Sequence, residues 1–547
     1  GSGLTNTTFL NPATNVAPYS LSNQTSKSSG QNNTVKLGIE RYFSEKTSVA
    51  ISGNLSFGDD VDRDDLNQQF LDQNKAVLDY GNGFTNQDEV ENGYDLNLDF
   101  VQKFKKPQEE LTGNFSYGNS SQDQNEKIVQ NFFKNNGEVS VNRISSNRRN
   151  DVSEDTKSYN FQLDYVLPLS KESKFEAGYR STLKYNDENQ ISDTLITNTQ
   201  NFNRDNTQSN LFQLEDLVHA VYVNYQNQIS KNFGFQFGLR TEQAYLNTKI
   251  IGLDANGQSL ITPSKLDYLR VYPSIFLTQK LKGDNQLQLS YSRRVNRPRG
   301  WQTNPFPDRS DRYNIRIGNP NLKPEDIHSF EFSYAKFWPA VTFTSSVYFR
   351  QVNDVVQSIR DNNPSELGGT ISRFYNLTRN RSVGLELISR ADLSKKINLT
   401  GNLNFFQSYF KGDAKLGIND NSGFNWNGNL TSNFTLTKGL SAQASMFYMA
   451  PRTLPQGTFK QMTSVDAGLK QDVLNNKGSI SFNIRDVFNS RKFGLFTDNG
   501  VFIQDWERRR QGRIYNLTFS YRFGKQIFDA KKSQKKPVSQ PEEDMGY

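Results

Sequence analysis

The sequence predicts an all-β, membrane-spanning antiparallel barrel, on three observations. Apolar and polar residues alternate in short segments along most of the chain, and the connections between them are alternately short and long. No run of roughly 18 apolar residues occurs that could cross a membrane as a helix. The last segment shows the pattern plainly. In YNLTFSYRF, Tyr515, Leu517, Phe519, Tyr521 and Phe523 share one phase, and Asn516, Thr518, Ser520 and Arg522 the other. Strand side chains alternate between faces, so one face is apolar and the other wet. Repeated many times, that is the pattern of a lipid-facing band around a polar lumen.

The segments pair naturally as hairpins. Val35, Leu37 and Ile39 turn at SEKT into Val49, Ile51, Leu55 and Phe57, and Tyr94–Phe100 turns near KKPQEE into Leu111–Tyr117. Phe161–Leu167 turns at PLSKES into Phe175–Tyr179, and Val221–Tyr225 at SKN into Phe233–Leu239. Ile275 and Leu277 turn at KGDN into Leu287–Tyr291, and Phe330–Tyr334 at FWPA into Val341–Val347. Val383–Leu387 turns at SKK into Ile397–Phe405, and Trp426–Phe434 at TKG into Leu440–Met446. Val465–Val473 turns at NNKG into Ile480–Ile484, and Tyr515–Phe523 closes the series. The pattern gives about nineteen strands of roughly 10 residues, the length a tilted membrane strand needs. Short turns are expected on the periplasmic side and long loops outside the cell. A soluble propeller would show a fixed repeat of roughly 40–50 residues, and these loops vary too much for that.

Composition agrees. Only 34% of the 547 residues are hydrophobic and the mean hydropathy is −0.74, yet there are 40 Phe and 24 Tyr. A disordered chain does not carry so many aromatics, whereas a large barrel needs only its outer band apolar. With no Cys there is no disulfide, thiolate metal site or Cys nucleophile. The net charge of +7 comes from 64 basic and 57 acidic residues interspersed, which points to no nucleic-acid partner. Residues 1–34, rich in Ser, Thr, Asn and Gln, are expected to form a polar loop segment, and residues 35–524 the barrel. The opening GSGLTNTTFLNP has neither an initiator Met nor an apolar signal segment, so a processed chain or part of a longer one is expected.

The segment Gly318, Asn319, Pro320, Asn321, Leu322, Lys323, Pro324, Glu325 stands out before the strand HSFEFSY. Its prolines fix φ and stop strand pairing, and Gly-Asn suits a turn, so it is expected to be a structural loop-to-strand entry. With LSYSRRVNRPRGWQTNPFPDRSDRYNIRI before it, RNRSVGLELISRADL at 379–393, VDAGLKQDVLNNKGSISFNIRDVFNSRKF at 465–493 and the closing YNLTFSYRFGK, it resembles the barrel of TonB-dependent receptors. The resemblance is greatest to the outer-membrane β-barrel family common in Bacteroidota. It implies a bacterial outer-membrane location and a 22-stranded barrel. It also implies an N-terminal plug domain that contacts TonB. About nineteen strands of an expected 22 implies that the plug and the first three strands are missing or lie outside this chain. The strands at 35–43 and 515–523 are then not neighbours.

The loop from Arg293 to Arg316 concentrates arginines, including Arg297, Arg299, Arg309 and Arg312, with Trp301, Phe306 and Tyr313 among them. Guanidinium forks and aromatic rings could hold an anionic or sugar-like solute. They could equally pair with Asp308 and Asp311 or with lipopolysaccharide phosphates. Asp60, Asp62 and Asp64 have the start of a calcium-loop spacing, but Asp65 replaces its Gly and Leu71 its closing Glu. His219 and His328 are the only histidines, too few for a metal centre without Cys, and no Ser spacing marks a hydrolase, so neither enzyme nor cofactor is expected. Trp506–Arg510 is a basic patch expected to meet lipid A phosphates. Residues 525–547 are expected to be a disordered periplasmic tail, or a docking peptide ending in Met545, Gly546 and Tyr547.

The expected function is energy-coupled uptake of a solute through the outer membrane, with TonB, outer-membrane lipid and lipopolysaccharide as partners. The alternative is a structural or accessory barrel subunit in a complex with other outer-membrane proteins or lipoproteins.

Overall fold

A computed structural model describes residues 1–10, 17–196, 201–253, 258–308, 311, 313–363 and 369–523. In chain order the strands are β1 (Ser2–Phe9), β2 (Tyr19–Tyr42), β3 (Thr47–Leu71), β4 (Val77–Lys103), β5 (Glu110–Lys134), β6 (Ser146–Pro168), β7 (Ser173–Ile196), β8 (Asn201–Arg204) and β9 (Asn210–Gln228). They continue with β10 (Phe233–Leu253), β11 (Ser259–Leu281), β12 (Asn285–Asn296), β13 (Asn314–Ile317), β14 (Glu325–Phe337), β15 (Val341–Asn362), β16 (Thr370–Ser394), β17 (Ile397–Lys411), β18 (Asn421–Thr437) and β19 (Leu440–Met449). The last are β20 (Arg452–Leu454), β21 (Gly457–Phe459), β22 (Met462–Val473), β23 (Gly478–Arg485), β24 (Phe493–Asp498), β25 (Phe502–Arg509) and β26 (Ile514–Tyr521). One helical turn, α1 (Gly300–Thr303), lies between β12 and β13.

All 26 strands belong to one sheet. Its wall is the antiparallel series from β2 to β26, less β8, β13, β20, β21, β24 and β25, which pair only near the outer rim. The nineteen wall strands are those of the alternation pattern. Many are much longer than a membrane crossing: β4 has 27 residues and β3 25. The long polar stretch between Phe57 and Tyr94 is mostly ladder, with Asp59↔Val90 and Asn67↔Asn82 paired and a tight turn at 72–76. Beyond the lipid band neither face meets hydrocarbon, so hydropathy does not alternate there, although backbone pairing continues. Asp60, Asp62 and Asp64 therefore lie along one face of a strand rather than in a wrapping loop.

The same physics corrects the expectation for residues 1–34. Ser2–Phe9 and the polar start of β2 are strand, not loop. β1 pairs with β2 from Ser2↔Thr25 to Thr8↔Tyr19 and with β25 from Ser2↔Arg509 to Phe9↔Phe502. It closes the ring at the long-loop end, where one strand stands in the interval expected to hold three. Nearer the short turns, no ladder joins residues 35–43 to 515–523. There β2 pairs only with β3, and β26 only with β23, among the described residues. Leu37 and Leu517 are consequently 72% and 76% exposed, against 50% for Leu289 inside the wall, because an edge strand has no neighbour on one side. The expected tail at 525–547 lies outside the described residues.

Two outcomes check this architecture. Leu403, exposed on the outward phase of β17, should tolerate Arg poorly, at a cost of about 2–4 kcal/mol near the bilayer midplane, whereas Arg at lumen-phase Thr400 should be mild. Equal losses in denaturant titration would reverse the facing. Cysteines at Thr8 and Ile503, directly paired across the seam, should cross-link without reductant, and cysteines at Ile39 and Leu517 should not.

Candidate functional site: a loop across the outer mouth

β12 and β14 stop pairing at Asn296↔Glu325, well below the rim set by β11 and β15. The segment between them, residues 297–324, turns inward and crosses the mouth. Its first anchor is Arg297, whose guanidinium donates to the Tyr268 hydroxyl at 2.8 Å and to the buried Glu242 carboxylate. Burial works against that charge, but Tyr268 and Glu242 outweigh it and hold the guanidinium pKa above its ordinary value. Glu242 also accepts from Arg240 at 2.6 Å. The α1 turn follows, with Gly300 lying on Leu214 of β9. Trp301 is exposed and meets Phe374 edge-on at 5.1 Å, and the Arg316 guanidinium lies 5.4 Å from its ring centre.

A bridge between Asp308 and Arg316 folds the tip back on itself, reinforced by Arg316 Nη2 donating to Asp308 at 3.0 Å. At the tip, Tyr313 is buried against Phe70 of β3 and Phe132 of β5, ring centres 5.4 and 5.3 Å away. The Arg143 guanidinium stacks on Phe70 at 3.1 Å, lies 5.2 Å from Tyr313, and faces Asp79 at 3.5 Å. β13 then runs parallel to β16, with the Thr370 N–H donating to the Tyr313 carbonyl at 2.7 Å. The loop thus spans from the β9–β11 wall to β3, β5 and β16.

Gly318–Glu325 returns the chain to the wall. A Cβ at Gly318 would collide with the Asn304 backbone, so only glycine permits this approach. The Asn319 side chain donates to the Phe374 carbonyl at 2.9 Å, the Lys323 N–H to Asn376 at 2.8 Å, and Ser264 to the Pro320 carbonyl at 2.9 Å. Leu322 and Pro324 are fully buried. Glu325 accepts from the Val356 N–H at 2.7 Å and from Asn296 at 2.8 Å.

Of the arginines singled out in the sequence, Arg297 is tied to the wall and Arg299 is exposed at the start of α1. Arg309 and Arg312 lie outside the described residues. Arg293 is held by Asp326 through two bonds of 2.8 and 2.7 Å, away from the tip. His219 and His328 accept or donate through Nδ1 to Tyr179 and Tyr291 at 2.8 and 3.0 Å, on the outward face. The hydropathy pattern misses the loop's seats. Phe70, Phe132, Phe212, Leu214 and Ile250 are large buried apolar residues on the inward phase of their strands. Counting phase outward from the short turns would have flagged them as apolar residues on the wrong face for lipid.

Carboxylates line the lumen beneath the tip, above the lipid band. Burial pushes the Glu188 carboxyl pKa up, and Glu154 and Asp308 push it further. Burial also raises Glu126, reinforced by Asp308 and Asp64 and opposed by its 2.7 Å bond from Asn150 and by Arg148. Both acids therefore bind protons more tightly with the loop seated. Between the ordinary carboxylate pKa and the raised ones, the seated form holds more protons, so its stability falls as pH rises through that window. Amide exchange at residues 300–317, corrected for intrinsic rate, should be faster at about pH 7.5 than at about pH 5, and Glu188→Gln should reduce the difference. No pH dependence in the wild-type protein would contradict the coupling.

The comparisons with known proteins follow this geometry. The solved structures that this fold is similar to include the siderophore receptor PiuA from Acinetobacter baumannii, at 10% identity and a TM-score of 0.54, covering 94% of this chain and 82% of that one. The copper transporter OprC matches at 9% identity and 0.54, covering 94% and 83%. The ferric-catecholate import receptor Fiu from K12 E. coli in its closed form matches at 9% and 0.51, covering 94% and 81%. At such identity the likeness is one of fold. No curated protein matches the sequence. The model of the outer membrane protein beta-barrel family matches residues 102–521. On that match, over the greater part of the wall and the whole of the mouth loop, the chain belongs to the outer membrane protein beta-barrel family and is a protein of the bacterial outer membrane.

Proposed function

We propose that this chain is the barrel of a TonB-dependent receptor that takes up a solute in an energy-coupled step. The observation that carries the reading is the seated loop. An open porin needs no segment bonded across its mouth, whereas a gated receptor does. Here Tyr313 and its partners Phe70, Phe132 and Arg143 hold the tip on the far wall, and Arg297 holds the near end on Glu242. Energy would arrive from TonB through a plug domain outside these residues. Solute would first meet the exposed Arg299 and Trp301, beside Arg316. In this reading Arg297 positions the loop rather than touching solute, because its Nε and Nη2 are already engaged by Tyr268 and Glu242. The Gly318–Glu325 motif serves as the fixed hinge end, through its bonds to Asn376 and Val356.

Tyr313→Ala removes a buried aromatic anchor, a change that costs roughly 3 kcal/mol or more in a packed site. In a plug-deleted form of the protein, cells expressing that variant should be several-fold more sensitive to vancomycin, which is too large for general porins, than cells expressing the plug-deleted form that keeps Tyr313. The variant should keep heat-modifiable gel migration, the sign of a folded barrel. In vivo photo-cross-linking of the full-length protein should recover TonB. Unchanged vancomycin sensitivity in a folded variant would remove the gate, and no TonB adduct would remove the energy coupling.

A further inference from the structure

The short-turn end of the barrel carries a charge pattern that the uptake reading does not use. Nine turns lie there, at residues 43–46, 104–109, 169–172, 229–232, 282–284, 338–340, 395–396, 438–439 and 474–477. Together they hold ten lysines, four acidic residues and no arginine. Lysines fall in every turn except 338–340, and there Lys336 places its ammonium 5.0 Å over the Trp338 ring. The turn lysines, among them Lys46, Lys106, Lys231, Lys282, Lys396 and Lys438, are exposed. None of the ten makes an ion pair among the described residues. The acid–base pairs that characterise the outer half, such as Arg297 with Glu242 and Arg316 with Asp308, have no counterpart in this ring.

A second observation gives the ring a direction. Each turn also presents a large exposed apolar side chain within three residues of a lysine. Phe43 accompanies Lys46, Ile229 accompanies Lys231, and Leu436 accompanies Lys438. Phe104, Leu169, Leu281, Trp338, Leu393 and Leu474 repeat the arrangement at the other six turns. An apolar side chain at the end of a membrane strand settles at the level of the acyl–headgroup boundary, and a neighbouring lysine extends its ammonium to the phosphates. A cation beside an apolar anchor is the combination that binds an anionic lipid surface, each lysine adding to the attraction. Lysine suits this role because its ammonium is a mobile point charge that needs no fixed partner.

We propose that these lysines and their apolar neighbours form a collar that binds anionic phospholipid headgroups in the inner, phospholipid leaflet of the outer membrane. The bound group is a phosphodiester such as that of phosphatidylglycerol. The collar is continuous with the lipid-facing band above it, so its occupant is the bilayer that the barrel already sits in. By fixing the height of the short-turn end, it sets how far the lumen opens below the membrane.

The test uses the full-length protein in nanodiscs of phosphatidylethanolamine and phosphatidylglycerol, with spin-labelled lipid of each type reporting the boundary shell. The wild-type protein should enrich labelled phosphatidylglycerol over phosphatidylethanolamine by about threefold or more at low salt, and lose most of that preference at about 0.5 M salt. A combined Lys46→Gln, Lys106→Gln, Lys231→Gln, Lys396→Gln variant should lose most of it at low salt, and the matching Lys→Arg variant should retain it. Wild-type protein with no preference, or a preference that salt leaves intact, overturns the proposal without needing the variants. A Gln variant that keeps its phosphatidylglycerol shell but no longer co-sediments with purified peptidoglycan would assign the ring to the cell wall and refute the lipid collar.

Discussion

Every backbone N–H and C=O inside hydrocarbon must find a partner in the chain, and the rest of this structure depends on that constraint. A sheet rolled into a barrel meets it at every wall strand except along the seam. The pairing does not stop at the membrane surface. β3, β4 and β5 continue as ladders far above the lipid, because a long outer hairpin still needs its polar backbone satisfied. The outward apolar phase in the lipid band and the polar phase around the lumen are both consequences of that one ladder.

The seam shows what happens where the ladder is interrupted. β1 brings the outer end of β2 to the last hairpin through β25, and Phe9 and Phe502 pack together beside it at 6.2 Å between ring centres. Thr7 accepts a bond from Gln504, and Arg360 reaches the same Gln504 from β15. The closure at the rim is therefore a side-chain network as well as a backbone pairing. Below it the edges of β2 and β26 carry unpaired backbone among the described residues, in a zone where such groups are costly.

The mouth loop reverses the usual inside-out order of a barrel. A lumen is ordinarily polar, yet Phe70, Phe132, Phe212, Leu214 and Ile250 face inward near the outer end. Tyr313 of the loop covers Phe70 and Phe132, and Gly300 lies on Leu214, which packs with Phe212 and Ile250. Its arginines, which as a group look like a ligand patch, divide on inspection. Arg293 and Arg297 hold structure together through Asp326 and Glu242, while Arg299 and Trp301 are exposed. Type and spacing alone do not distinguish these roles, since each arginine in a loop can find a carboxylate only where the fold brings one.

Alternation within the lipid band determined, from the sequence alone, the barrel class, the nineteen wall strands and the position of each short turn. One face of each strand must meet hydrocarbon there, so hydropathy reports geometry directly. The motif from Gly318 to Glu325 also announced a turn into a strand, since proline and glycine constrain the backbone locally. The tertiary structure decided everything that rests on partners distant in sequence. It made strands of residues 2–9 and 19–34, whose largely polar sequence shows no regular hydropathy alternation. It seated Tyr313 on β3 and β5, and it joined Arg297 to Glu242 across 55 residues of chain. Those contacts depend on how far round the barrel each strand falls, and that follows from closure of the whole ring rather than from any local segment.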